Sequence, residues 1–234
     1  MIEGRIVPVK EMMHGWNNKP AEAVRLQREL STKIQTSGSP AKIGIVAGVD
    51  VSTGGPDGLG HCCIVVLNFP GLEPVEESCH SGEVPFPYIP GLLSFREGPL
   101  FLRAFENLKN KPDVLIFDGQ GIAHPRRFGI ACHMGLLLGI PSIGCAKSRL
   151  YGSYEEPDEE RGSTSPLLGN DGERIGTVLR TRSRVSPVFV SPGHLVGMDE
   201  AARIVLACTG KYRIPVPTRM AHILAGEKRK TYAG

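Results

Sequence analysis

Three short segments between residues 113 and 147 constrain the fold of this chain more than any other feature. DVLIFD (113–118) and PSIGCAK (141–147) are apolar runs of strand length, and GIACHMGLLLG (129–139) between them has the pattern of a helix. A strand, a helix and a strand in this order predict a crossover between two parallel strands, which need a connection of this length. The chain is therefore expected to contain an α/β sheet.

The segments before residue 113 have a different pattern. PAEAVRLQRELSTKIQT (20–36) and FLRAFENLKN (101–110) are predicted as helices. KIGIVAGVDVS (42–52), GHCCIVVLNF (60–69) and EPVEESCHSGEV (73–84) are predicted as strands, and the turn residues TGGPDG join the first two as a hairpin. The predicted fold class is α/β with a central mixed sheet of five strands. An antiparallel meander comes first, the parallel crossover strands follow, and helices cover both faces.

The rest of the chain is predicted to extend the same domain. ERIGTVLRT (173–181) and PVFVS (187–191) have the pattern of peripheral strands, residues 153–170 that of a polar loop, and residues 198–209 and 217–228 that of short helices. Neither a repeat nor a linker forces a second domain. A single domain is therefore placed at residues 20–228, after an N-terminal extension (1–19) and before a C-terminal tail (229–234).

The composition is that of an ordinary globular domain and excludes a disordered chain. Apolar residues make up 41% and charged residues 22% of the 234 residues. The net charge of +3 permits a polyanionic partner without requiring one. No apolar run is long enough to span a membrane, so a cytoplasmic protein with no membrane partner is expected. The six cysteines lack the spacing of a metal site and are expected to be buried reduced thiols.

Two of the predicted strands end in an aspartate. IVAGVD ends at Asp50 and VLIFD ends at Asp118, in segments otherwise too apolar to hold a carboxylate. Ligands of open α/β sheets collect beyond the carboxyl ends of strands, so the two side chains converge if the strands are neighbours. Paired carboxylates repel unless a proton or a cation lies between them, and oxygen ligands suit Mg²⁺ or Mn²⁺. The alternative is that each aspartate only ends a strand and begins a turn.

Glu97 supplies a third acid. It follows Leu93 by four residues, so on one continuous helix it would lie in the apolar stripe. A carboxylate on a core face must be paired, protonated or bound to a metal. Gly98-Pro99 is expected to break or restart the helix, which would leave Glu97 facing a cleft. The alternative is a surface glutamate paired with Arg96.

A glycine-rich and basic segment, GQGIAHPRRFG, follows Asp118 directly. Gly119 and Gly121 allow the backbone to approach a ligand closely. The cationic or titratable groups nearby are, in chain order, His124, Arg126, Arg127 and Lys147. Acids that hold a metal, bordered by cations that hold a phosphate, are typical of a site that cleaves phosphodiesters. Arg126 and Arg127 are accordingly predicted to bind phosphate.

The chain resembles the endonuclease V family in the order and spacing of six motifs. They are VAGVD, FPYIPGLLSFREGP, FDGQGIAHPRRFGIACHMGLL, IPSIGCAKSRLYG, PVFVSPGHL and RIPVPTRMAH. The resemblance runs from about residue 20 to about residue 225. It implies a ribonuclease H-like fold, in agreement with the mixed sheet predicted from the pattern.

The resemblance also implies an activity. Enzymes of this family are Mg²⁺-dependent endonucleases that recognise deaminated adenine, which is hypoxanthine, or deoxyinosine in DNA. They hydrolyse the second phosphodiester bond 3′ to the lesion and leave 3′-hydroxyl and 5′-phosphate ends. The expected cofactor is Mg²⁺, for which Mn²⁺ would substitute, and the expected partner is single- or double-stranded DNA containing deoxyinosine, bound by a monomer. Two alternatives stay open: an inosine-specific ribonuclease acting on RNA, and a module that binds the lesion without cutting.

The resemblance assigns the cleavage residues. Asp50 and Asp118 match the metal-binding aspartates of the family, and Glu97 matches its third acid. A histidine near the metal and two polar groups lining the cleavage site are matched, in that order, by His222, Lys147 and His124.

The resemblance assigns lesion recognition as well. Tyr88 matches an aromatic wedge that enters the base stack, and the prolines on either side of Tyr88 and Ile89 would hold its backbone in place. The pocket for the extruded base is assigned to Gly91, Leu93, Gly119, Gly121, Ile130 and Leu150. Apolar walls and closely approaching backbone suit a base that must be unstacked before it is read.

Overall fold

The computed structural model describes residues 14–16, 18–54, 58–84 and 86–231. Most of the predicted N-terminal extension and residues 232–234 of the predicted tail lie outside these ranges. The helices and strands, in chain order, are α1 (Pro20–Ser31), β1 (Ile45–Ser52), β2 (Gly60–Asn68), β3 (Pro74–Gly82), α2 (Leu93–Glu106), β4 (Val114–Phe117), α3 (Ile130–Leu138), β5 (Ser142–Ala146), β6 (Thr164–Leu168), β7 (Arg174–Leu179), β8 (Val188–His194), α4 (Met198–Ala207) and α5 (Val216–Thr231). None of the described helices is long and apolar enough to cross a bilayer.

One sheet with the strand order β3-β2-β1-β4-β5-β8-β7-β6 organises the described part of the chain. β1, β2 and β3 form the predicted antiparallel meander. β4 and β5 run parallel to β1, with α3 between them, so the predicted crossover is confirmed. The sheet is larger than the predicted five strands, because β8, β7 and β6 continue it in antiparallel pairing beyond β5. A local pattern identifies a strand but does not specify which distant strand it pairs with.

β6 corrects the prediction of a loop over residues 153–170. Its sequence, TSPLL, contains Pro166, which cannot donate a hydrogen bond to a neighbouring strand. β6 lies at the edge of the sheet and pairs with β7. A proline is tolerated at such an edge, so this polar segment can form a strand that its composition did not indicate.

The alternating side chains of the strands build an apolar core on each face of the sheet. Val46 of β1 belongs to the core that α4 and α5 cover, together with Ile204 and Ala221. The next residue, Ala47, belongs to the opposite core, which Phe101 of α2 and the side chains of α3 complete. The prediction of helices on both faces is therefore confirmed.

α2 runs without a break from Leu93 to Glu106 and contains Pro99, where a break was predicted. Proline removes one helical hydrogen bond. The helix nevertheless continues because its apolar face is buried: Phe101 is fully buried, and such a side chain contributes about 2 kcal/mol. Gly98 fits closely against the core, since a Cβ there would lie 2.8 Å from the Trp16 ring. Glu97 therefore belongs to a continuous helix.

The cysteines differ in part from the prediction of reduced thiols. Cys63 of β2 lies directly opposite Cys79 of β3, and their sulfurs form a disulfide. The other cysteines, at positions 62, 132, 145 and 208, are free and buried as predicted. The spacing along the sequence gave no sign of the disulfide, because it depends on the register between two strands.

Candidate active site

Neighbouring parallel strands bring two aspartates to one edge of the sheet. Asp50 lies near the carboxyl end of β1, and Asp118 follows β4 directly. Val49 and Phe117 are partners in the register of these strands, and the Asp118 backbone N–H donates to the Val49 carbonyl over 3.1 Å. The convergence expected from the two strand ends is therefore present.

His222 reaches this pair from α5. Its Nδ1 lies 3.0 Å from Asp50 Oδ2. The approach depends on Gly48 of β1, where a Cβ would lie 2.0 Å from the Pro217 backbone at the start of α5. One ligand atom from each of Asp50, Asp118 and His222 lies within 4.8 Å of the others. Two carboxylates and an imidazole at this spacing can surround one cation.

Lys147 places a positive charge on the other side of Asp118. It follows β5, and its Nζ lies 2.5 Å from Asp118 Oδ2. Arg213 steadies the Lys147 backbone by donating to its carbonyl over 2.6 Å and to the Pro187 carbonyl over 2.8 Å. Asp118 thus lies between the pair Asp50 and His222 and the ammonium group of Lys147.

Glu97 lies close enough to the two aspartates for their charges to act on it. Burial, followed by the charge of Asp50 and a smaller contribution from Asp118, raises the pKa of Glu97 to about 8 against the opposing effect of Arg96. Burial and the charge of Asp118 also raise the pKa of Asp50. The Arg96 guanidinium donates to the Phe86 carbonyl over 2.7 Å. We call Asp50, Glu97 and Asp118 the acid cluster. Their negative charges repel one another, so a divalent cation would stabilise the site.

A cavity of about 320 Å³ opens beside this cluster. Asp118 and Lys147 lie at its border, and Tyr88 lies at its rim with its side chain 71% exposed. Of the residues assigned to the base pocket, those that line the cavity are Gly91, Leu93, Gly119, Ile130 and Leu150. The acid cluster and a cavity with apolar walls are therefore neighbours.

Gly121 has a different role from the one predicted. It does not line the cavity, and a Cβ there would lie 2.0 Å from the Pro192 carbonyl oxygen. Its N–H donates to Ser191 Oγ over 2.9 Å. Gly121 therefore allows the loop after β4 to lie directly against β8, and the close approach that it permits is to protein backbone.

The Gly91 carbonyl fixes the loop that carries Tyr88. It accepts hydrogen bonds from Gln27 Nε2 (2.9 Å), His124 Nε2 (2.9 Å) and an Arg126 guanidinium nitrogen (2.8 Å). Gly91 itself has a φ of +79°, which favours glycine. These contacts hold the loop against α1 and against the segment after β4.

His124 lines the cavity, and it and the two arginines form contacts with other protein groups. The Nδ1 atom of His124 accepts from the Arg126 backbone N–H over 3.1 Å while Nε2 donates to Gly91, and burial followed by the charge of Arg126 lowers the pKa of His124 to about 4. Arg126 also contacts Gln27 Oε1, and Arg127 pairs with Asp171 and Glu173. These contacts connect the segment after β4 to α1, to the loop that carries Tyr88 and to the turn that contains Asp171.

Gln27 and Arg213 are site-supporting residues that the motifs did not reveal. Gln27 is 1% exposed on α1, on the buried face that also carries Ala23 and Leu30. A polar residue at helical spacing between two apolar ones was a usable signal, since a buried amide needs partners. Arg213 gave no such signal, because its partners are backbone carbonyls from distant loops.

The mixed sheet and the acids at the ends of its parallel strands define a ribonuclease H-like nuclease. The sequence model of the endonuclease V family matches residues 28–223. The chain belongs to the endonuclease V family. Endonuclease V of Kosmotoga olearia is 50% identical to it over 220 residues, which cover 94% of this chain and 96% of the relative.

Solved structures agree with this assignment. Endonuclease V of Streptomyces avermitilis has a TM-score of 0.89 and 43% identity, covering 94% of this chain and 97% of its own. Endonuclease V of Ciona intestinalis, in complex with a 24mer DNA containing an inosine followed by a ribo-adenosine, has a TM-score of 0.79 and 30% identity. That match covers 91% of this chain and 98% of the Ciona chain. The predicted fold and the prediction of a nuclease are confirmed.

Proposed function

We propose that this protein is a Mg²⁺-dependent DNA repair endonuclease that recognises hypoxanthine and hydrolyses the second phosphodiester bond 3′ to it. The products would carry a 3′-hydroxyl and a 5′-phosphate. The observation that carries the proposal is the acid cluster beside the cavity rimmed by Tyr88. The Ciona relative, seen with inosine-containing DNA, supports the same substrate class.

The residues present fit a hard divalent cation. Asp50 and Asp118 would hold Mg²⁺ through carboxylate oxygens beside His222, and Mn²⁺ would suit the same donors. Glu97, whose pKa the two aspartates raise, would complete the ligand shell or orient a water molecule. When bound, such an ion activates a water molecule and neutralises charge that develops on a phosphate. The mutual repulsion of the acids is the property that the ion would relieve.

The other residues of the cluster would position the reacting groups. Lys147 holds a positive charge at Asp118, where it can also attract a phosphate oxygen. When His222 donates from Nδ1 to Asp50, its Nε2 carries a lone pair that can accept a proton. Asp50 would thus fix the tautomer and the ring orientation of His222.

Base selection would take place in the cavity. Hypoxanthine lacks the 2-amino group of guanine and carries an oxygen where adenine has an amino group. Leu93 and Ile130 supply apolar walls, and Gly119 brings backbone close to Ile130, since a Cβ there would lie 2.8 Å from the isoleucine. A close wall excludes the extra amino group, and a backbone N–H can read the oxygen. Tyr88 would fill the gap that the extruded base leaves.

A second substrate is favoured by one observation. The DNA bound to the Ciona relative has a ribo-adenosine directly after the inosine. Inosine in RNA is therefore the second candidate substrate, read by the same cavity.

Labelled single-stranded DNA, duplex DNA and RNA, each with one inosine, distinguish these candidates when they are incubated with Mg²⁺ or with EDTA. Metal-dependent nicking of the DNA two phosphodiester bonds 3′ to inosine is the expected result. Nicking restricted to RNA would identify inosine in RNA as the substrate. Tight binding without a product under any divalent metal would instead identify a binding module.

A further inference from the structure

Tyr212 is an exposed aromatic residue outside the base cavity. Among the described residues, Tyr88 and Tyr212 are the exposed large aromatic side chains, at 71% and 38%. The Arg219 guanidinium lies 3.7 Å from the centroid of the Tyr212 ring, and Lys211 Nζ lies 5.3 Å from it. We call Lys211, Tyr212 and Arg219 the α5 platform.

The two cations of the α5 platform are available to an anionic ligand. Within the described ranges neither Lys211 nor Arg219 forms an ion pair with a carboxylate, whereas Arg127, Arg180 and Arg203 do. A stacked arginine and tyrosine can stabilise each other without any ligand. That explanation accounts for the position of Arg219. It does not explain why Lys211 places a second positive charge near a ring that is partly exposed to solvent.

Two connections attach the α5 platform to the acid cluster. Arg219 lies one helical turn before His222 on α5, so the two side chains share a face of the helix, and His222 contacts Asp50. Tyr212 precedes Arg213, which donates to the Lys147 carbonyl, and Lys147 Nζ contacts Asp118. The platform therefore borders the cluster through both aspartates.

The α5 platform is not part of the base cavity. Asp118 and Lys147 line the cavity, whereas Asp50, His222 and the α5 platform do not. The platform borders the acids from outside the cavity, through His222 with Asp50 and through Arg213 with Lys147. A strand with one base in the cavity and its scissile phosphate at the acids can therefore continue onto the platform.

We propose that the α5 platform binds the nucleotides of the substrate strand that lie 3′ to the cleaved bond. A base can stack on Tyr212 while Lys211 and Arg219 contact the phosphates, which is how proteins bind single strands without reading their sequence. This inference rests on the proposed function for the direction of the strand. It adds a strand-binding surface that the cleavage residues and the base cavity do not include.

The test compares two single-stranded DNAs with one inosine each, labelled at the 5′ end. The short one ends directly after the nucleotide 3′ to the proposed cut, and the long one continues for about eight nucleotides, within the footprint of a single-strand binding site. Fluorescence anisotropy in EDTA gives Kd for both. Wild type is expected to bind the long DNA about tenfold more tightly, and Tyr212→Ala to lose that gain, because stacking of a base supplies energy of this order.

Three variants serve as controls for this gain. Tyr212→Phe keeps the ring and should keep the gain. Arg219→Gln should reduce the gain and its dependence on salt, since it removes a phosphate contact. Lys228→Ala removes an exposed cation near the far end of α5 and should leave the gain unchanged. Equal affinity of Tyr212→Ala, Arg219→Gln and wild type for the short DNA shows that the site is folded.

The inference is overturned if wild type binds both DNAs equally, or if Tyr212→Ala keeps the full gain. Cleavage of the long DNA in Mg²⁺ is scored separately and concerns the proposed function. A gain that depends on Tyr212 in a protein that does not cut inosine DNA would refute the proposed function and keep the platform. Specific cutting of inosine DNA without such a gain would support the proposed function and refute the platform.

Discussion

At the scale of single residues, Glu97 links the charge of the site to the stability of the fold. Its pKa is raised from 4.5 to about 8 in the folded chain, so between these pH values the folded state holds a proton that the unfolded state has lost. The contribution of Glu97 to the free energy of unfolding without metal should therefore fall as the pH rises through this window, by on the order of 2–4 kcal/mol. Chemical denaturation in EDTA at a series of pH values measures it.

Glu97→Gln is the matched variant for this prediction, because it keeps the shape and removes the charge. As the pH rises from 4.5 to 8, wild type should lose stability relative to Glu97→Gln. Adding Mg²⁺ at pH 8 should raise the Tm of wild type more than that of Glu97→Gln, since the ion binds the folded state. The same pH dependence of stability in wild type and in Glu97→Gln would contradict the raised pKa of Glu97 and the repulsive cluster.

Tyr88 is predicted to act on lesion selection and not on metal binding. Tyr88→Ala should lower the preference for inosine over adenine by about tenfold, because an extruded base then leaves a gap that nothing fills. The Mg²⁺ concentration that supports half-maximal cleavage should stay within about twofold, which is below 0.5 kcal/mol. Cleavage rates for paired inosine and adenine DNAs give both quantities. Tyr88→Phe, which keeps the ring, should resemble wild type. If Tyr88→Ala keeps its preference for inosine and instead needs a different Mg²⁺ concentration, Tyr88 is not a wedge.

At the scale of elements, α1 is predicted to support base recognition through Gln27. Gln27→Leu removes an amide that donates to the Gly91 and Phe128 carbonyls. Because these carbonyls lose a partner, the free energy of unfolding should fall by about 1–3 kcal/mol. The loop that carries Tyr88 should also loosen, so KM for inosine DNA should rise while kcat changes less. Steady-state kinetics at saturating Mg²⁺ measures the division between the two.

Glu29→Ala is the control for this prediction, since Glu29 is exposed on the same helix. It should leave KM and stability unchanged. A Gln27→Leu protein that loses only stability, with KM and kcat as in wild type, would reduce Gln27 to a packing role.

The elements also show where local sequence patterns stop being informative. The strand that contains Asp50, the strand that precedes Asp118 and the helix between β4 and β5 were predictable, because burial and periodicity are local properties. Pro99 inside α2 and Pro166 inside β6 were not, because packing and position in the sheet override the preferences of proline. The disulfide between Cys63 and Cys79 follows from a strand register that no local pattern reveals.

At the scale of the whole molecule, the acids were predictable and their neighbours less so. A carboxylate that ends an apolar strand is conspicuous in a sequence, and Asp50 and Asp118 meet because β1 and β4 are adjacent. A run such as HPRRF gives only the charge. Whether Arg127 faces a phosphate or pairs with Asp171 depends on a loop that comes from elsewhere in the chain.

The fold brings the acids and the cavity together on one edge of the sheet. β1, the end of β4 and α5 supply Asp50, Asp118 and His222, and α2 supplies Glu97. α2 and the loops before it and after β4 contribute to the lining of the cavity. The proposed activity therefore has two separable parts. Removing one acid should abolish cleavage while the cavity still binds the base.

Asp118→Ala tests this separation most directly. Wild type and Asp118→Ala are compared on a 5′-labelled DNA strand with one inosine, by single-turnover cleavage in Mg²⁺ and by binding in EDTA. Wild type is expected to give one product, which ends at the nucleotide after inosine. Asp118→Ala should give none, while its Kd for inosine DNA stays within about threefold, or 0.7 kcal/mol, of wild type. Cleavage by Asp118→Ala at the wild-type rate would contradict the metal site at the centre of this account.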